Sequence, residues 1–597
     1  MRQKISVLSK LCEVFPLKAE VALDIETVGK KPLDALRYAD QELIGISLCD
    51  GEKNVYVDLY NNEERNEIIS YLKEHLKPGL VVMANAPFDL AGLNKEGLYT
   101  GKEKVWDICT SDHLIDENNV GKHGLKAQAE RYLSVKTNKY DETLHPNSDE
   151  FAEYALNDSL WTYQIYKIHK QRLQDEGLLN FMKIIEMPYV HCVTQMRIEG
   201  VTVDWYLNDY YINLVKDEMT NYLIQMSELV GCKYSRQANL IDNSIIVETE
   251  INFNSSNQVA EIIQDKLNID LTETTDSGAI KLDKHVLNSL KGRHKFIDLL
   301  LEYKKLMKTY SAFLEPLQGF KESDGKIRPS FINWGTVSGR LASSKPNLQQ
   351  LPNSGDEDII QVRKQFIAPK GYKMLTADYS GFELRIMASI SNDKNMIETL
   401  NQGRDADLHQ KTADLMGVER KVGKIFNFSI AYGKGVTGFS NDLGITESEA
   451  EKLIEQFNKA YPDVAREIKN THNELERRGF VKNAFGRKRR LPPIKNEDGT
   501  SYQPNRHKRQ SFNFKAQSLA GDILRHTSSV VYKQALKRPE MDLKLIMTVH
   551  DENVYVVRET FLEEAKTLIQ RCFENVIKDK VKFFSDVKEG NSYQEAK

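Results

Sequence analysis

The chain of 597 residues lacks the features that mark secreted, membrane and zinc-cluster proteins. It has six cysteines, and no two stand at the C-x-x-C spacing of a zinc site or redox pair. No apolar run approaches the roughly 20 residues that span a bilayer, and residues 1–20 do not form the apolar core of a signal peptide. The formal net charge is only -4, so any polyanion must be bound by local basic surfaces. These absences predict an intracellular, cytoplasmic protein that makes no membrane contact.

The length and composition predict a multidomain globular chain. A chain of this length should divide into roughly three to five domains. The hydrophobic share is 40% and the charged share 28%, which are ordinary values for a globular protein.

The most distinctive stretch is residues 420–433. Its chemically notable side chains recur every four residues, at Arg420, Lys424, Phe428 and Tyr432. On a helix this spacing places them along one face, with two cations followed by two aromatic rings. Two cations suit a polyphosphate, and two rings suit a sugar and a base. The alternative is an amphipathic helix with a solvated basic end and a buried aromatic end.

The first third of the chain holds four spaced carboxylates. Asp24 and Glu26 are two apart in an apolar strand and therefore share one face of it. Asp89 follows a second apolar run, and Tyr154 and Asp158 are four apart on a predicted helix. A lone Asp-x-Glu is more typical of a solvated strand edge.

In this order, the four pieces resemble the proofreading 3′–5′ exonuclease domain of DNA polymerases, the DEDD type with a tyrosine. The resemblance implies an RNase H-like domain over residues 1–180. It also implies that Asp24, Glu26, Asp89 and Asp158 hold two divalent cations and that Tyr154 orients the attacking water. Two hard cations held by carboxylates would stabilise both the entering and the leaving oxygen of phosphodiester hydrolysis.

The last half of the chain carries further ordered motifs. Residues 336–340 read Thr-Val-Ser-Gly-Arg, and an apolar strand ends at Asp378 just before a predicted helix. Residues 543–557 read as two strands joined by a turn at His550-Asp551-Glu552. With residues 420–433 and 509–517, these motifs resemble the family A DNA polymerases, the bacterial polymerase I type and its bacteriophage and organelle relatives.

This resemblance covers nearly the whole chain and implies an α/β multidomain fold, an exonuclease domain followed by a right-hand polymerase of palm, fingers and thumb. It divides the rest of the chain into a helical thumb at 181–320, palm at 321–400 and 501–597, and fingers at 401–500. For the lysine-rich thumb region, a generic helical bundle with a solvated face is an equal alternative.

The resemblance also implies a role for each site residue. Asp378 and Asp551 would hold two Mg²⁺ ions, with Mn²⁺ as a substitute. Arg420, Lys424 and His409 would contact the triphosphate, with Lys424 as proton donor to pyrophosphate; Phe428 would pack on the sugar, Tyr432 near the templating base, and Glu383 would exclude a 2′-hydroxyl. The DNA contacts would be Arg340, Asn513 and Gln517 in the minor groove, Arg509 on the template side and His550 near the primer terminus.

A dense basic stretch runs from Arg477 to Arg509 and includes residues 487–490, Arg-Lys-Arg-Arg. Such clusters are usually solvated faces or nuclear signals. Within a polymerase, we expect contact with the template backbone.

We therefore predict a monomeric DNA polymerase with 3′–5′ proofreading that acts in bacteriophage DNA replication. Its partners would be primer–template DNA, dNTPs and replisome proteins such as a helicase, a processivity factor and a single-strand binding protein. The alternatives are a repair polymerase, a single-subunit RNA polymerase, a DNA-binding exonuclease with an impaired polymerase half, and a non-catalytic DNA-binding scaffold. Glu383 and the exonuclease carboxylates argue against the RNA polymerase.

Overall fold

A computed structural model describes residues 2–77, 79–137, 144–238, 245–271, 280–353, 355, 358–431, 433–496 and 499–597. Within these ranges, no helix has the length and apolar character needed to cross a membrane.

The N-terminal unit is built on a mixed six-stranded sheet of order β1-β4-β3-β2-β5-β6. Its strands are β1 (Arg2–Ile5), β2 (Glu20–Val28), β3 (Glu42–Cys49), β4 (Asn54–Asp58), β5 (Leu80–Met83) and β6 (Val105–Asp107). Strand β2 lies centrally, antiparallel to β3 and parallel to β5. Its apolar residues Val21, Leu23 and Ile25 are buried, which fixes the strand's register against the core.

Helices cover both the sheet and its edges. They are α1 (Leu8–Val14), α2 (Arg65–His75), α3 (Ala86–Lys95), α4 (Ile108–Ile115), α5 (Leu125–Leu133) and α6 (Asp149–Asp175). Ser148 caps the start of helix α6, because its hydroxyl accepts a hydrogen bond from the amide of Phe151 at 3.1 Å. This long helix packs across β2 and β3. The predicted helical placement of Tyr154 and Asp158 is confirmed.

A junction helix joins the two halves of the chain. A short α7 (Leu179–Phe181) leads into α8 (Met187–Glu199), which ends at Gly200 with φ +63°. Val190 on this helix belongs to the N-terminal core, whereas Cys192 and Met196 belong to the C-terminal core. The helix is therefore shared by both units.

The next segment forms a helical arm with its own core. It comprises β7 (Val201–Thr202), α9 (Trp205–Val230), β8 (Tyr234–Ala238), β9 (Ile245–Thr249), α10 (Ser256–Glu261), α11 (Lys284–Ser289), α12 (Lys295–Thr309) and α13 (Glu315–Gln318). This core contains Met226 from α9 together with Phe296 and Leu300 from α12, and all three side chains are fully buried. The side chain of Ser255 caps α10 by accepting a hydrogen bond from the amide of Gln258.

A four-stranded antiparallel sheet of order β18-β19-β13-β20 forms the centre of the C-terminal half. The chain first reaches β10 (Lys326–Ile327), β11 (Ser330–Ile332), β12 (Ala342–Ser344), β13 (Tyr372–Tyr379) and α14 (Phe382–Ser391). After the helices described next, it returns through α21 (Asn505–Ala535), β18 (Lys544–Val549), β19 (Glu552–Arg558), α22 (Leu562–Asn575) and β20 (Ser585–Gly590). The strand that was predicted to end at Asp378 ends one residue later, at Tyr379, and the predicted hairpin is confirmed.

The segment between α14 and α21 is mainly helical. It contains α15 (Lys394–Leu400), α16 (Leu408–Met416), α17 (Arg420–Ala431), α18 (Val436–Leu443), α19 (Glu447–Ala460) and α20 (Pro462–Arg478), followed by short strands β14 (Phe480–Lys482), β15 (Lys488–Arg490), β16 (Ile494–Lys495) and β17 (Ser501–Tyr502). Its core is organised around Phe426, which is fully buried and stacks on Phe439 with ring centroids 4.2 Å apart.

The expected template contact is wrong for residues 487–490, because these side chains pair with carboxylates of the protein instead. Arg487 is only 2% exposed and pairs with Glu186 and Asp522. Lys488 and Arg490 pair with Glu176 at 2.8 and 2.6 Å. Arg489 and Arg490 both reach Glu117, at 3.1 and 2.8 Å. A buried carboxylate requires a close cation, and the β14–β15 hairpin supplies these cations across the interface.

Candidate active sites

The N-terminal unit brings all five predicted exonuclease residues into one electrostatically coupled site. Asp24 and Glu26 lie on β2, Asp89 in the first turn of α3, and Tyr154 and Asp158 on α6. The Asp89 carboxylate accepts a hydrogen bond from the amide of Ile25 at 3.2 Å, which ties α3 to β2. Helix α3 starts sharply because Asn85 adopts a left-handed conformation, φ +66°, and Pro87 occupies the first turn.

Burial and mutual repulsion disfavour the charged form of these carboxylates. Burial raises the pKa of Asp24, Glu26 and Asp89 well above the ordinary range, and the neighbouring carboxylates raise it further. Burial also raises the pKa of Asp158. Such a set of oxygen ligands with mutual repulsion suits hard divalent cations, which would favour the charged form of every member.

Lys126 is the positive charge beside this cluster and was missed from the sequence. Its ammonium contacts the Asp158 carboxylate and lies 4.1 Å from the ring centroid of Tyr154. It lowers the pKa of Asp24, Glu26 and Asp158 against the effect of burial. In this conformation, no three acidic, histidine or cysteine side chains of the described residues are arranged to hold a metal ion. No local sequence signal pointed to Lys126, since it comes from α5.

A second cluster of carboxylates lies across the C-terminal sheet. Asp378 on β13 is the register partner of Glu552 on β19 and of Asp586 on β20. Register partners in antiparallel strands project from the same face of the sheet. Asp551 immediately precedes Glu552, so the sheet brings Asp378 and Asp551 together although they are distant in sequence. Burial raises the pKa of Asp378, and Glu552 and Asp586 add to this effect.

The members of this group are held by polar neighbours. Glu552 accepts a hydrogen bond from the hydroxyl of Tyr593 at 2.8 Å and pairs with Lys597 at 2.7 Å. Asp586 accepts a hydrogen bond from Ser380 at 2.5 Å and pairs with Arg404 at 3.2 Å. Asp586 was not predicted, because it stands in a polar edge strand with no recognisable motif.

Arg340 lies between predicted catalytic residues. Its guanidinium is 3.5 Å from the carboxylate of Asp551 and 3.7 Å from that of Glu383. A cavity of about 170 Å³ is lined by Arg340, Asp551 and His550, together with Gln349 and Arg525. His550 has φ +56°, which turns the hairpin so that Asp551 stands at its tip.

Helix α17 presents the predicted nucleotide face. Arg420 at its start pairs with Asp407 at 2.8 Å. His409 packs on Phe428 with ring centroids 5.3 Å apart, and burial lowers the pKa of this histidine. Gly423 has a structural reason, since a side-chain Cβ there would lie 2.6 Å from the carbonyl oxygen of His409. Lys424 lies one turn beyond Arg420 on the same helix, and Tyr432 falls outside the described residues.

The predicted DNA-contacting side chains form a stripe on α21. Arg509, Asn513 and Gln517 recur every four residues. At the next position, Gly521, an added Cβ would lie 3.6 Å from the Cγ of Arg340. The side-chain oxygen of Asn513 is buried without a hydrogen-bond partner among the described residues. Gly433 lies two residues beyond the end of α17, and a Cβ added there would lie 3.0 Å from the carbonyl oxygen of Arg509.

Known proteins share both halves of this arrangement. The protein-family model described as DNA polymerase family A matches residues 220–595 of this chain. The family model described as 3′–5′ exonuclease matches residues 2–174. A solved structure, the POL domain of Pol1 from M. smegmatis in complex with DNA primer-template and dNTP, superposes with a TM-score of 0.83 at 21% identity and full coverage of both chains. The chain therefore has an N-terminal exonuclease domain followed by a polymerase domain. It belongs to DNA polymerase family A.

Several curated relatives are DNA polymerases I of bacteria. The enzyme of Caldicellulosiruptor bescii is 28% identical over 96% of this chain and 65% of its own length. That of Treponema pallidum is 25% identical over 86% of this chain and 51% of its own length. That of Borreliella burgdorferi is 28% identical over 98% of this chain and 64% of its own length. The chain thus spans between half and two thirds of these relatives.

Proposed function

We propose that this chain is a template-directed DNA polymerase that extends a primer 3′ end with dNTPs and removes misincorporated nucleotides by 3′–5′ hydrolysis. The observation that carries the proposal is the juxtaposition of Asp378 and Asp551 in one sheet, beside Arg340 and α21. Together with the separate carboxylate cluster around Asp24, it supports two phosphoryl-transfer sites in one chain.

In the proposed polymerase site, Asp378 and Asp551 would hold divalent cations, most simply two Mg²⁺ with Mn²⁺ as a substitute. Bound there, the ions would supply charge stabilisation at the attacking and leaving oxygens. Arg420, Lys424 and His409 would bind the triphosphate, and Lys424 would give a proton to the leaving pyrophosphate. Phe428 would pack on the sugar of the incoming nucleotide, and Tyr432 would stack near the templating base.

Two groups of side chains would select the substrate and hold the DNA in this site. Glu383, on the first turn of α14, would close the space of a 2′-hydroxyl. Arg340, Asn513 and Gln517 would contact minor-groove acceptors present in every correct base pair. Arg509 would lie on the template side, and His550 near the primer terminus.

In the proposed exonuclease site, Asp24, Glu26, Asp89 and Asp158 would hold two further divalent cations. Tyr154 would orient the attacking water. Lys126 is close enough to Asp158 to replace part of the cation charge when the metals are absent.

One primer-extension gel tests the proposal against its alternatives. A labelled primer–template receives Mg²⁺ with dNTPs, with NTPs, or with no nucleotide. We expect extension only with dNTPs and 3′ shortening without nucleotide. Extension with NTPs at equal efficiency would refute the DNA assignment in favour of an RNA polymerase, and shortening without any extension would indicate an exonuclease with an impaired polymerase half.

Two matched variants separate the sites. Asp378→Ala should abolish extension and leave 3′ shortening intact, because its carboxylate belongs only to the C-terminal sheet. The double variant Asp24→Ala with Glu26→Ala should do the reverse. Degradation that persists in the double variant would show that the exonuclease site lies elsewhere.

The same proposal includes the cellular process in which the enzyme acts. We place the chain in bacteriophage DNA replication within the host cytoplasm, acting as a monomer with a helicase, a processivity factor and a single-strand binding protein. The lysine- and asparagine-rich composition supports the phage assignment. Repair synthesis is the second candidate, because the curated relatives are bacterial DNA polymerases I.

A further inference from the structure

The turn that carries Arg340 is held from three sides. Within the turn, the Thr336 hydroxyl donates to the carbonyl of Arg340 at 2.7 Å, and the amide of Gly339 donates to the carbonyl of Thr336 at 3.0 Å. Gly339 has φ +79°, and a Cβ there would lie 2.6 Å from the guanidinium carbon of Arg487. The turn therefore has one tightly packed conformation, in which Arg340 faces Asp551 and Glu383.

One of the three contacts comes from the exonuclease domain. His113 on α4 lies with its Nε2 2.8 Å from the carbonyl oxygen of Thr336. A carbonyl only accepts, so Nε2 carries the proton and donates. The histidine is 3% exposed, and burial together with nearby Arg487 lowers its pKa well below the ordinary value. It is therefore a neutral, fixed donor at physiological pH.

The other two contacts come from Arg525 on α21 and from Arg487 in the β14–β15 hairpin. Arg525 donates to the carbonyl of Asn333 at 2.8 Å and also to that of Gly339. Arg525 in turn pairs with Glu186, which pairs with Arg487. His113 differs from these residues because it contacts the turn without belonging to the ion network.

We infer that His113 of the exonuclease domain is a positioning residue for the polymerase site, acting through Thr336 to set the orientation of Arg340. This inference rests on the proposed function for its catalytic consequence, but not for its structural one. If the contact is lost, the carbonyl of Thr336 keeps only the hydrogen bond from the amide of Gly339, and the turn gains freedom on the side that faces the exonuclease domain. The His113 ring is not one of the exonuclease carboxylates' neighbours given above, so hydrolysis should not depend on it.

The test compares two substitutions in the full chain. His113→Leu removes the donor and keeps a buried apolar side chain. His113→Gln keeps an amide donor that can take the place of Nε2. Hydrogen exchange by mass spectrometry should show faster exchange at the amides of residues 336–341 in His113→Leu, by about 2- to 10-fold for one lost hydrogen bond, and near wild-type exchange in His113→Gln. Unchanged exchange in His113→Leu, with α4 itself still protected, would overturn the inference whether or not the chain polymerises.

Single-nucleotide incorporation then tests the catalytic consequence. We expect His113→Leu to lower the maximal incorporation rate by about 2- to 10-fold with little change in the dNTP concentration for half-maximal rate, and His113→Gln to restore it. The same substitution should have no further effect in an Arg340→Ala background, because the histidine acts through that arginine. An equal loss in both backgrounds would refute the route through Arg340. If the wild-type chain extends no primer, the proposed function fails, and the exchange experiment still decides the positioning role.

Discussion

Replacing Arg487 by methionine should loosen the contact between the exonuclease and polymerase domains more than any exposed charge substitution. The guanidinium lies in a buried network of two cations and two carboxylates. Arg487, Arg525, Glu186 and Asp522 are 2%, 2%, 1% and 0% exposed, respectively. Although burial alone would lower the pKa of Arg487, Asp522 and Glu186 raise it, so the cation is fixed. Methionine fills similar space and leaves two buried carboxylates with one cation.

The expected loss follows from that charge count. Removing one partner of a buried ion pair typically costs about 3–5 kcal/mol, because the remaining charge is left without compensation. For a domain-sized unit, this corresponds to a fall of roughly 10 °C in the unfolding temperature. A multidomain chain does not unfold in two states, so the transition that contains this interface must be followed by itself. Differential scanning calorimetry of the full chain measures it, and limited proteolysis at the junction supports the assignment.

Two further variants decide whether the network is the cause. Arg478→Met removes a cation that is 43% exposed and pairs with Glu474, so it should cost about 1 kcal/mol or less. The double variant Arg487→Met with Glu186→Gln restores the charge balance and should recover part of the stability lost in the single variant. If Arg487→Met is no more destabilising than Arg478→Met, the reasoning from buried charge is wrong.

Two other predictions concern the polymerase gate and the acid limit of the exonuclease domain. Glu383→Ala should raise the incorporation of NTPs relative to dNTPs by at least about 10-fold, since the side chain next to Arg340 no longer fills the space of a 2′-hydroxyl; an unchanged ratio in single-nucleotide incorporation would contradict this role. Burial lowers the pKa of His169 to about 3, so the unfolded chain binds a proton below about pH 6.5 that the folded chain does not, and this histidine should cost about 2 kcal/mol of stability at pH 5. His169→Asn should therefore flatten the fall in unfolding temperature between pH 7 and 5, and an identical pH profile for the two proteins would count against it.

Local patterns in the sequence predicted much of the architecture. Apolar spacing and turn residues determine the positions of three elements to within a few residues. These elements are the strand that carries Asp378, the 544–558 hairpin, and the helix that carries Tyr154 and Asp158. Such signals survive because the side-chain periods of strands and helices are short. The helix at 420–431 was readable for the same reason.

Side chains whose role depends on distant partners were not predictable. The hairpin cation Arg490 and its partner Glu117 are separated by 373 positions, so nothing near either residue showed that the basic stretch faces protein rather than DNA. Asp586 joins Asp378 only through the register of β20 with β13. Arg385 is 1% exposed because it donates to the carbonyls of Ser380, Leu400, Gly403 and Lys582, a role that appears only when the chain is folded.

The interface contacts bear on how the two proposed activities share one primer end. Arg487 and Arg490 join the hairpin to Glu186, Glu117 and Glu176, and His113 joins the exonuclease domain to the turn that carries Arg340. These contacts are buried or part-buried, so separating the domains would break several ion pairs and one hydrogen bond together. A rotation of the exonuclease domain toward the polymerase site would break them together. In the proposed function, these shared contacts favour transfer of the primer strand between the two sites over rotation of the exonuclease domain.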